Sequence, residues 1–567
     1  MSASVWISQI KLISGIEINL EQNSIIVFVG PNNSGKSLIL DELDRHIHRQ
    51  ISLPFRIVES VELKAKGTVD EFKETISHRM VDGQYRTIRE RMNVSSDQIV
   101  RCWTNLLSGD IKENYYLAGF YTNSLTTLNR LNLVEPAGNL DFINELRTHP
   151  IHTIKEESHL ELLFSKYFKI AFGEDVIVNH GAGNNIPLHI GNPPPITIEN
   201  DRVSASYQKE LRSLPQLHKQ GDGMKSFAGV FLSLLAEKYF INLLDEPEAF
   251  LHPPQASLLA KMIAQNIGEG KQLFTSTHSE HFLKGLLDVA SERLVIVRME
   301  RNTTVNNINI LGNDEIREFS NESFLRHSNV LDGLFHKRVI LVESDSDARF
   351  FSAIVNGIIK DGKMRSPDLL FVPTGGKHRF PIVIRALNRL SVPFKVVGDF
   401  DLYNNENPVK LMVEALDGDW SLLEADFKKI KKSIDEKRPE LETAELKQEI
   451  EKIFTSFNDR IIPENKINDI KAALKRSSPW AQAKETGKAY LPSGEALIAF
   501  KKVQEYLARL NIHILEIGEL ESFDREFNEH GPKWVSRVLE RDILNAPELE
   551  EARKFVKSKI LSDYVSL

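Results

Sequence analysis

Residues 24–37 read Ser24-Ile-Ile-Val-Phe-Val-Gly30-Pro-Asn-Asn33-Ser-Gly35-Lys36-Ser37. The apolar run Ser24–Val29 suits a buried parallel strand, and Leu38–His48 behind it reads as a helix. Between them, Gly30–Ser37 fits the P-loop pattern in full. The chemistry needs these residue types. Glycines let backbone N–H groups crowd around phosphates, and the following helix N-terminus adds favourable partial charge. Gly30, Asn33 and Gly35 form the loop, Lys36 is placed to reach the β- and γ-phosphates, and the Ser37 hydroxyl to hold Mg²⁺. Strand, glycine loop and helix in this order predict an ATP-binding α/β domain.

Further strands fall into place around it. Ile10–Leu20 alternates as a strand or hairpin, Phe240–Leu244 and Lys271–Thr275 are buried-strand runs, and Arg293–Met299 adds another. Ile241-Asn-Leu-Leu-Asp245-Glu246 ends in two carboxylates. Asp245 is expected to bind Mg²⁺, directly or through water, and Glu246 to orient and deprotonate the attacking water. Phe227–Tyr239 is apolar at helical spacing. Ser52–Lys219 is irregular and polar, with a Pro-rich loop at Gly191–Pro195, and reads as a mostly helical lobe inserted into the nucleotide-binding core.

Gly30–Ser37, Leu244-Asp-Glu-Pro-Glu248 and Ser276-Thr-His278-Ser279 together resemble the ATP-binding-cassette class of ATPases, which includes the SMC proteins. The resemblance implies that His278 senses the γ-phosphate. It also implies a signature loop supplied by a second subunit, which makes the protein at least a dimer. Gln220-Gly-Asp-Gly223-Met-Lys-Ser226 sits in the right place for that loop but departs from the usual Ser-Gly-Gly core.

A second α/β unit starts near Lys337. Arg338–Val342, Leu369–Val372 and Phe394–Val397 read as strands, with Ser346–Ile359 and Arg379–Leu390 as helices between them. That alternation implies a parallel sheet. Glu343 ends the first strand, Asp347 follows one helical turn on, and Asp399 and Asp401 follow the third strand. Residues two apart in extended chain face one way, so both aspartates are expected in one cavity at the strand ends. Carboxylates gathered there repel one another unless a divalent cation neutralises them. The plainer alternative makes Asp399 and Asp401 turn residues and Glu343 a helix cap.

This pattern resembles a TOPRIM domain, with its Glu at Glu343, its Asp-x-Asp at Asp399 and Asp401, and its glycines at Gly375 and Gly376. A cassette-type ATPase followed by TOPRIM resembles the OLD (overcoming lysogenization defect) nucleases. That resemblance implies two metals, held by Glu343, Asp347, Asp399, Asp401 and a later Glu. Glu521 matches best, with Glu519 as competitor. It also implies a lysine on the scissile phosphate, for which Lys533 is the candidate, although a surface lysine is an equal reading. Mg²⁺ is the expected ion, with Mn²⁺ or Ca²⁺ as alternatives.

Composition bounds the rest. At 567 residues, 41% hydrophobic and 26% charged, the chain is a multidomain globular protein. Its expected domains are residues 1–330, with the insertion at about 52–219, and residues 337–567, with a helical insertion at about 408–510. The net charge of −8 argues against an indiscriminate nucleic-acid coat but not against a nucleic-acid enzyme. Cys102 is the only cysteine, which excludes a disulfide framework and a cysteine zinc site and fits a reducing cytoplasm. No stretch approaches a membrane span. Leu422–Phe454, interrupted at Pro439, is expected as a helical hairpin, with Phe427-Lys-Lys-Ile-Lys-Lys432 a solvated face rather than a DNA patch.

The expected activity is ATP-regulated, metal-dependent DNA cleavage or nicking. The family resemblance adds anti-phage defence, with a reverse transcriptase and its RNA–DNA product or a helicase-like subunit as partner. The rivals are an SMC-type DNA-binding ATPase, disfavoured by the lack of a long heptad arm, and an ATP-switched interaction protein.

Overall fold

The computed structural model describes residues 3–50, 52–81, 83–88, 91–141, 145–198, 200–236, 238–302, 305–311, 316, 329–360, 366–437, 443–458, 460–475 and 479–564. Two compact units divide the chain, Met1–Phe335 and His336–Leu567.

In the first unit, Ile25–Val29 is buried at every position because it lies inside a six-stranded sheet. From one edge to the other the strands are Val305–Leu311, Leu294–Asn302, Ile25–Val29, Gln272–Ser276, Ile241–Asp245 and Thr122–Leu125. All neighbours run parallel except the antiparallel edge strand Val305–Leu311. The helix Lys36–Ile47 leaves the P-loop and buries Ile39, Leu40 and Leu43. A separate antiparallel sheet pairs Ser4–Leu12 with Glu17–Asn19 and Val58–Lys66. Gln272 ties it to the core: its side chain accepts from Ile7 N–H at 2.8 Å and donates to the carbonyls of Ile7 and Glu21.

The segment expected as an inserted lobe, residues 52–219, is therefore only partly an insertion. Val58–Lys66 belongs to the antiparallel sheet and Thr122–Leu125 closes the edge of the core sheet. The edge strand escapes a search for apolar runs because it is four residues long and carries Asn123, which donates to Ser233 Oγ at 2.7 Å. Helices such as Ser158–Phe172 and the short hairpin of Asp175–Val178 with Leu188–Gly191 make up much of the rest.

The second unit holds a four-stranded, all-parallel sheet in the order Leu369–Pro373, Arg338–Val342, Phe394–Gly398, Ile512–Ile514. Asp345–Lys360 and Phe380–Arg389 are its crossover helices. One face is closed by an aromatic cluster of Phe350, Phe351, Phe523, Trp534 and Phe555. Between Phe394–Gly398 and Ile512–Ile514 the regular elements among the described residues are helices, the α-helices running from Glu406–Glu414 to Glu495–Arg509.

The hairpin expected over Leu422–Phe454 is a different pairing. Ser421–Asp435 packs on Glu495–Arg509, and Thr443–Thr455 packs on Glu464–Lys475. Pro439 lies outside the described residues. Phe427 and Ile430 are buried in the first of these helices, while Lys428 and Lys429 face solvent. No helix among the described residues is long and apolar enough to cross a membrane.

Candidate functional sites

The nucleotide pocket forms where three parallel strands of the first unit end side by side. Gly30, at φ 145°, must be glycine: a Cβ there would collide with the Met299 carbonyl oxygen. Asn33 (φ 63°) and Gly35 (φ 98°) complete the curl of the loop. Lys36 is buried and donates to the carbonyls of Gly30 and Pro31 at 2.8 and 2.9 Å. Burial pushes its ammonium down to about 8, against the pull of Glu246, Asp245 and Glu248. Ser37 follows in the first turn of the helix and is exposed.

Asp245 ends its strand opposite Ser276 in register, and Ser276 Oγ donates to Asp245 Oδ1 while accepting from Glu246 N–H at 3.1 Å. Glu246 turns out of the strand with φ 44° and its Oε1 lies 3.3 Å from Nε2 of His278. The imidazole beside it holds the Glu246 carboxyl below its ordinary value. Glu248 is buried behind them, accepting from Thr277 Oγ1 and His278 N–H at 2.7 and 2.9 Å, and burial pushes it up. Gly223 stands in the first turn of the helix Asp222–Leu235, against the Phe250 carbonyl.

One residue of this pocket has no motif. Arg130, fully buried, donates to the carbonyl oxygens of Asp245 at 3.1 Å and Glu246 at 3.0 Å. Its guanidinium holds both acidic residues in the strained turn from behind, and burial lowers it to about 10.

The carboxylate site of the second unit forms at the carboxyl ends of its parallel strands. Glu343 Oε1 accepts from Asp399 N–H at 3.3 Å, and its carbonyl oxygen accepts from Gly375 and Gly376 N–H, both at 2.9 Å. Gly375 (φ 73°) and Gly376 (φ 118°) thus bring the neighbouring strand's loop against Glu343. Asp347 caps its own helix, accepting from Ser344 N–H and Oγ at 2.9 and 2.6 Å. A cavity of about 810 Å³ is lined by Glu343, Asp347, Asp399, Glu519 and Glu521. Glu519 and Glu521 both reach it, and with His530 their ligand atoms lie within 4.8 Å of one another.

The electrostatics are those of crowded carboxyls. Burial, then the charge of Asp401, pushes Glu343 up to about 7. Burial and the neighbouring Glu343 raise Asp399 well above its ordinary value, and burial raises Asp347 and Glu519.

Asp401 and Lys533 stand apart from the residues that line the cavity. Asp401 flanks the cavity rather than lining it, and its charge still acts on Glu343, Asp399 and Lys484. The chain leaves extended geometry at Asp399 and enters the 3₁₀ turn Phe400–Asn404, so the two-residue alternation ends there. Asp401 Oδ2 pairs instead with Lys377 at 2.8 Å. Lys533 is exposed and lies outside the cavity lining among the described residues. Its helix, Pro532–Val538, buries Trp534, Val535 and Val538, which turns position 533 to solvent. The lysine that does enter the cavity is Lys484, 3.4 Å from Asp399 Oδ2 and 3.3 Å from Glu519 Oε2. Burial works against its charge, and Asp399, Asp401 and Glu519 outweigh it, raising Lys484 overall.

The residues fit the divalent cations that the resemblance implies. Asp401 Oδ1 is buried with no hydrogen-bond partner among the described residues, and burial together with neighbouring carboxylate charge raises Glu343, Asp347 and Asp399, a strain that a bound cation would relieve. A set of carboxylate oxygens is the donor chemistry of a hard cation.

Two family models match parts of the chain. Residues 195–284 match the family described as AAA domain, putative AbiEii toxin, Type IV TA system. Residues 334–401 match the family described as overcoming lysogenization defect protein-like, TOPRIM domain. No curated protein matches the chain. Similar solved structures include an Smc head bound to the C-winged helix domain of ScpA, at 12% identity and TM-score 0.35, covering 55% of this chain and 99% of that one. An SMC head domain from Thermotoga maritima has 14% identity and TM-score 0.28, covering 55% and 100%. The cbiO1 protein of Clostridium perfringens, part of an ABC transporter complex, has 11% identity and TM-score 0.26, covering 52% and 85%.

Proposed function

Because the chain joins an ATPase domain to an OLD-like TOPRIM domain, the domain pair of the OLD family, we propose that it is an ATP-regulated, divalent-metal-dependent DNA endonuclease or nickase. The observation that carries this reading is the meeting of Glu343, Asp347, Asp399, Glu519 and Glu521, drawn from separate segments, around one cavity. Cations held there would activate water and stabilise the leaving oxygen of a phosphodiester. Glu343 and Asp399 anchor the site because the strand ends fix them and one hydrogen bond joins them. Asp347 is held by Ser344, and Glu521 by Gly531 N–H at 2.7 Å. Asp401 contributes charge from the flank, paired with Lys377.

In the other unit, Gly30, Asn33, Gly35 and Lys36 would cradle the phosphates of ATP, while Ser37 and Asp245 would hold its Mg²⁺. Glu246 takes the proton of the attacking water, with His278 placed beside it. Gly223 and its loop complete a neighbouring copy's ATP, so the working form is a homodimer or larger. ATP bound between subunits then controls access to DNA. The setting we favour is cytoplasmic anti-phage defence, with a reverse transcriptase and RNA–DNA product or a helicase-like subunit as partner.

Plasmid incubated with the protein and Mg²⁺ or Mn²⁺, with and without ATP, should be nicked or linearised, and Asp399→Ala/Asp401→Ala should abolish this. Plasmid left intact under every metal, nucleotide and partner condition would sink the nuclease reading. Lys36→Ala should remove ATP binding, and Glu246→Gln should trap an ATP-bound dimer.

A further inference from the structure

The cavity contains a cation of the chain's own, and we propose that Lys484 is a tethered counter-ion that occupies the metal position between Asp399 and Glu519 until a divalent ion displaces it. The proposal rests on the reading of this cavity as a metal site.

Three observations carry it. The first is position. Lys484 Nζ bridges carboxylate oxygens from two separate segments, at 3.4 Å from Asp399 and 3.3 Å from Glu519. A divalent ion shared by the same two oxygens would need metal–oxygen distances of roughly 2.0–2.6 Å, so ammonium and ion compete for one volume.

The second is anchoring. Lys484 sits on the short helix Pro479–Thr486, and the chain just after it interlocks with the loop that carries Glu519. A Cβ on Gly518 (φ 124°) would collide with the Lys484 carbonyl oxygen, and one on Gly487 (φ 60°) with the Glu516 carbonyl oxygen. Lys488 N–H donates to Glu516 O at 2.8 Å, and Ser522 Oγ donates to Glu485 O at 2.9 Å. Backbone is pressed on backbone, so the stem of Lys484 starts from a fixed point at the cavity wall. Its four-carbon chain can still swing the ammonium out.

The third is charge. Lys377 is committed to Asp401, through both its carboxylate at 2.8 Å and its carbonyl at 3.2 Å. His530 approaches Glu519 and Glu521 only at 4.0 and 3.8 Å and is largely exposed. Among the described residues, Lys484 is thus the cation that offsets Asp399 and Glu519. Removing it leaves those carboxylates uncompensated, and a divalent ion then meets no competitor.

The test uses the full-length protein without nucleotide. Free Mn²⁺ is followed by its paramagnetic resonance signal during titration, with Asp399→Asn defining the binding that belongs to this site. Lys484→Met and Lys484→Gln are each expected to bind Mn²⁺ about tenfold or more tightly than wild type. Both should melt below wild type in EDTA and regain wild-type melting at saturating Mn²⁺. Lys484→Arg, which keeps the charge, should restore the stability in EDTA and abolish the gain in affinity. Equal or weaker Mn²⁺ binding by both uncharged variants would overturn the proposal while leaving the metal site intact. Absence of Asp399-dependent Mn²⁺ binding in wild type and variants alike would instead overturn the metal reading, and this inference with it.

Discussion

Asp399 donates its backbone N–H to Oε1 of Glu343 at 3.3 Å, so one carboxylate joins the ends of two parallel strands. Burial and the nearby charge of Asp401 push that carboxyl from 4.5 up to about 7. The folded protein therefore binds an extra proton between those two values. Its stabilising effect is complete below about pH 4.5 and is lost as pH rises through about 7. In chelator, the melting temperature should fall across this window, by the equivalent of roughly 1–3 kcal/mol, and Glu343→Gln should flatten the fall. Divalent-ion affinity should rise over the same window, with proton release on binding. A pH-independent difference between wild type and Glu343→Gln would rule this out.

The buried ammonium of Lys36 responds in the opposite direction. Burial lowers it to about 8, so the free protein loses this charge as pH passes that value. Phosphates need the charged form. ATP affinity should therefore weaken above about pH 8, with net proton uptake on binding, measured by calorimetry in buffers of different ionisation enthalpy. An affinity that stays level from neutral pH to well above that value would contradict the expectation.

Arg130 acts on the nucleotide pocket from behind. Replacing it with methionine removes the donors to the Asp245 and Glu246 carbonyls. The cost should be roughly 2–4 kcal/mol in denaturant unfolding of the first unit. Glu246, held at φ 44°, should lose its placement, so ATP turnover should fall further than ATP affinity. Steady-state turnover and nucleotide binding measured on the same variant decide it; an equal loss of both would point to mere unfolding.

Lys533→Ala should leave both sites alone. The side chain is exposed on the outer face of its helix, where a substitution changes stability by about 0.5 kcal/mol or less. Mn²⁺ binding and plasmid cleavage should match wild type within about twofold. A large loss of cleavage with unchanged metal binding would restore the phosphate-contacting role inferred from resemblance.

Much of the site is legible where its parts are contiguous. Ser24–Ser37 carries strand, loop and helix start in one run, and the structure keeps that order from Ile25–Val29 to Lys36–Ile47. Glu343 and Asp399 are legible because buried parallel strands announce themselves as apolar runs, and their ends share one edge. Asp401 reaches the site by a route the alternation rule does not describe, because the 3₁₀ turn Phe400–Asn404 replaces extended chain after Asp399. Glu519 and Glu521 stay ambiguous in sequence because both belong to one short turn, Leu520–Phe523 and its cap.

Lys484, Arg130 and the edge strand Thr122–Leu125 mark the boundary between the two kinds of information. Hydrophobic period and glycine-rich loops are local properties, so the chain alone determined two α/β units, a phosphate loop and acidic strand ends. Which lysine enters the carboxylates and which arginine grips the acidic turn depend on backbones distant in sequence meeting at van der Waals distance. No local pattern encodes that meeting; the packing of Gly518 against Lys484 does.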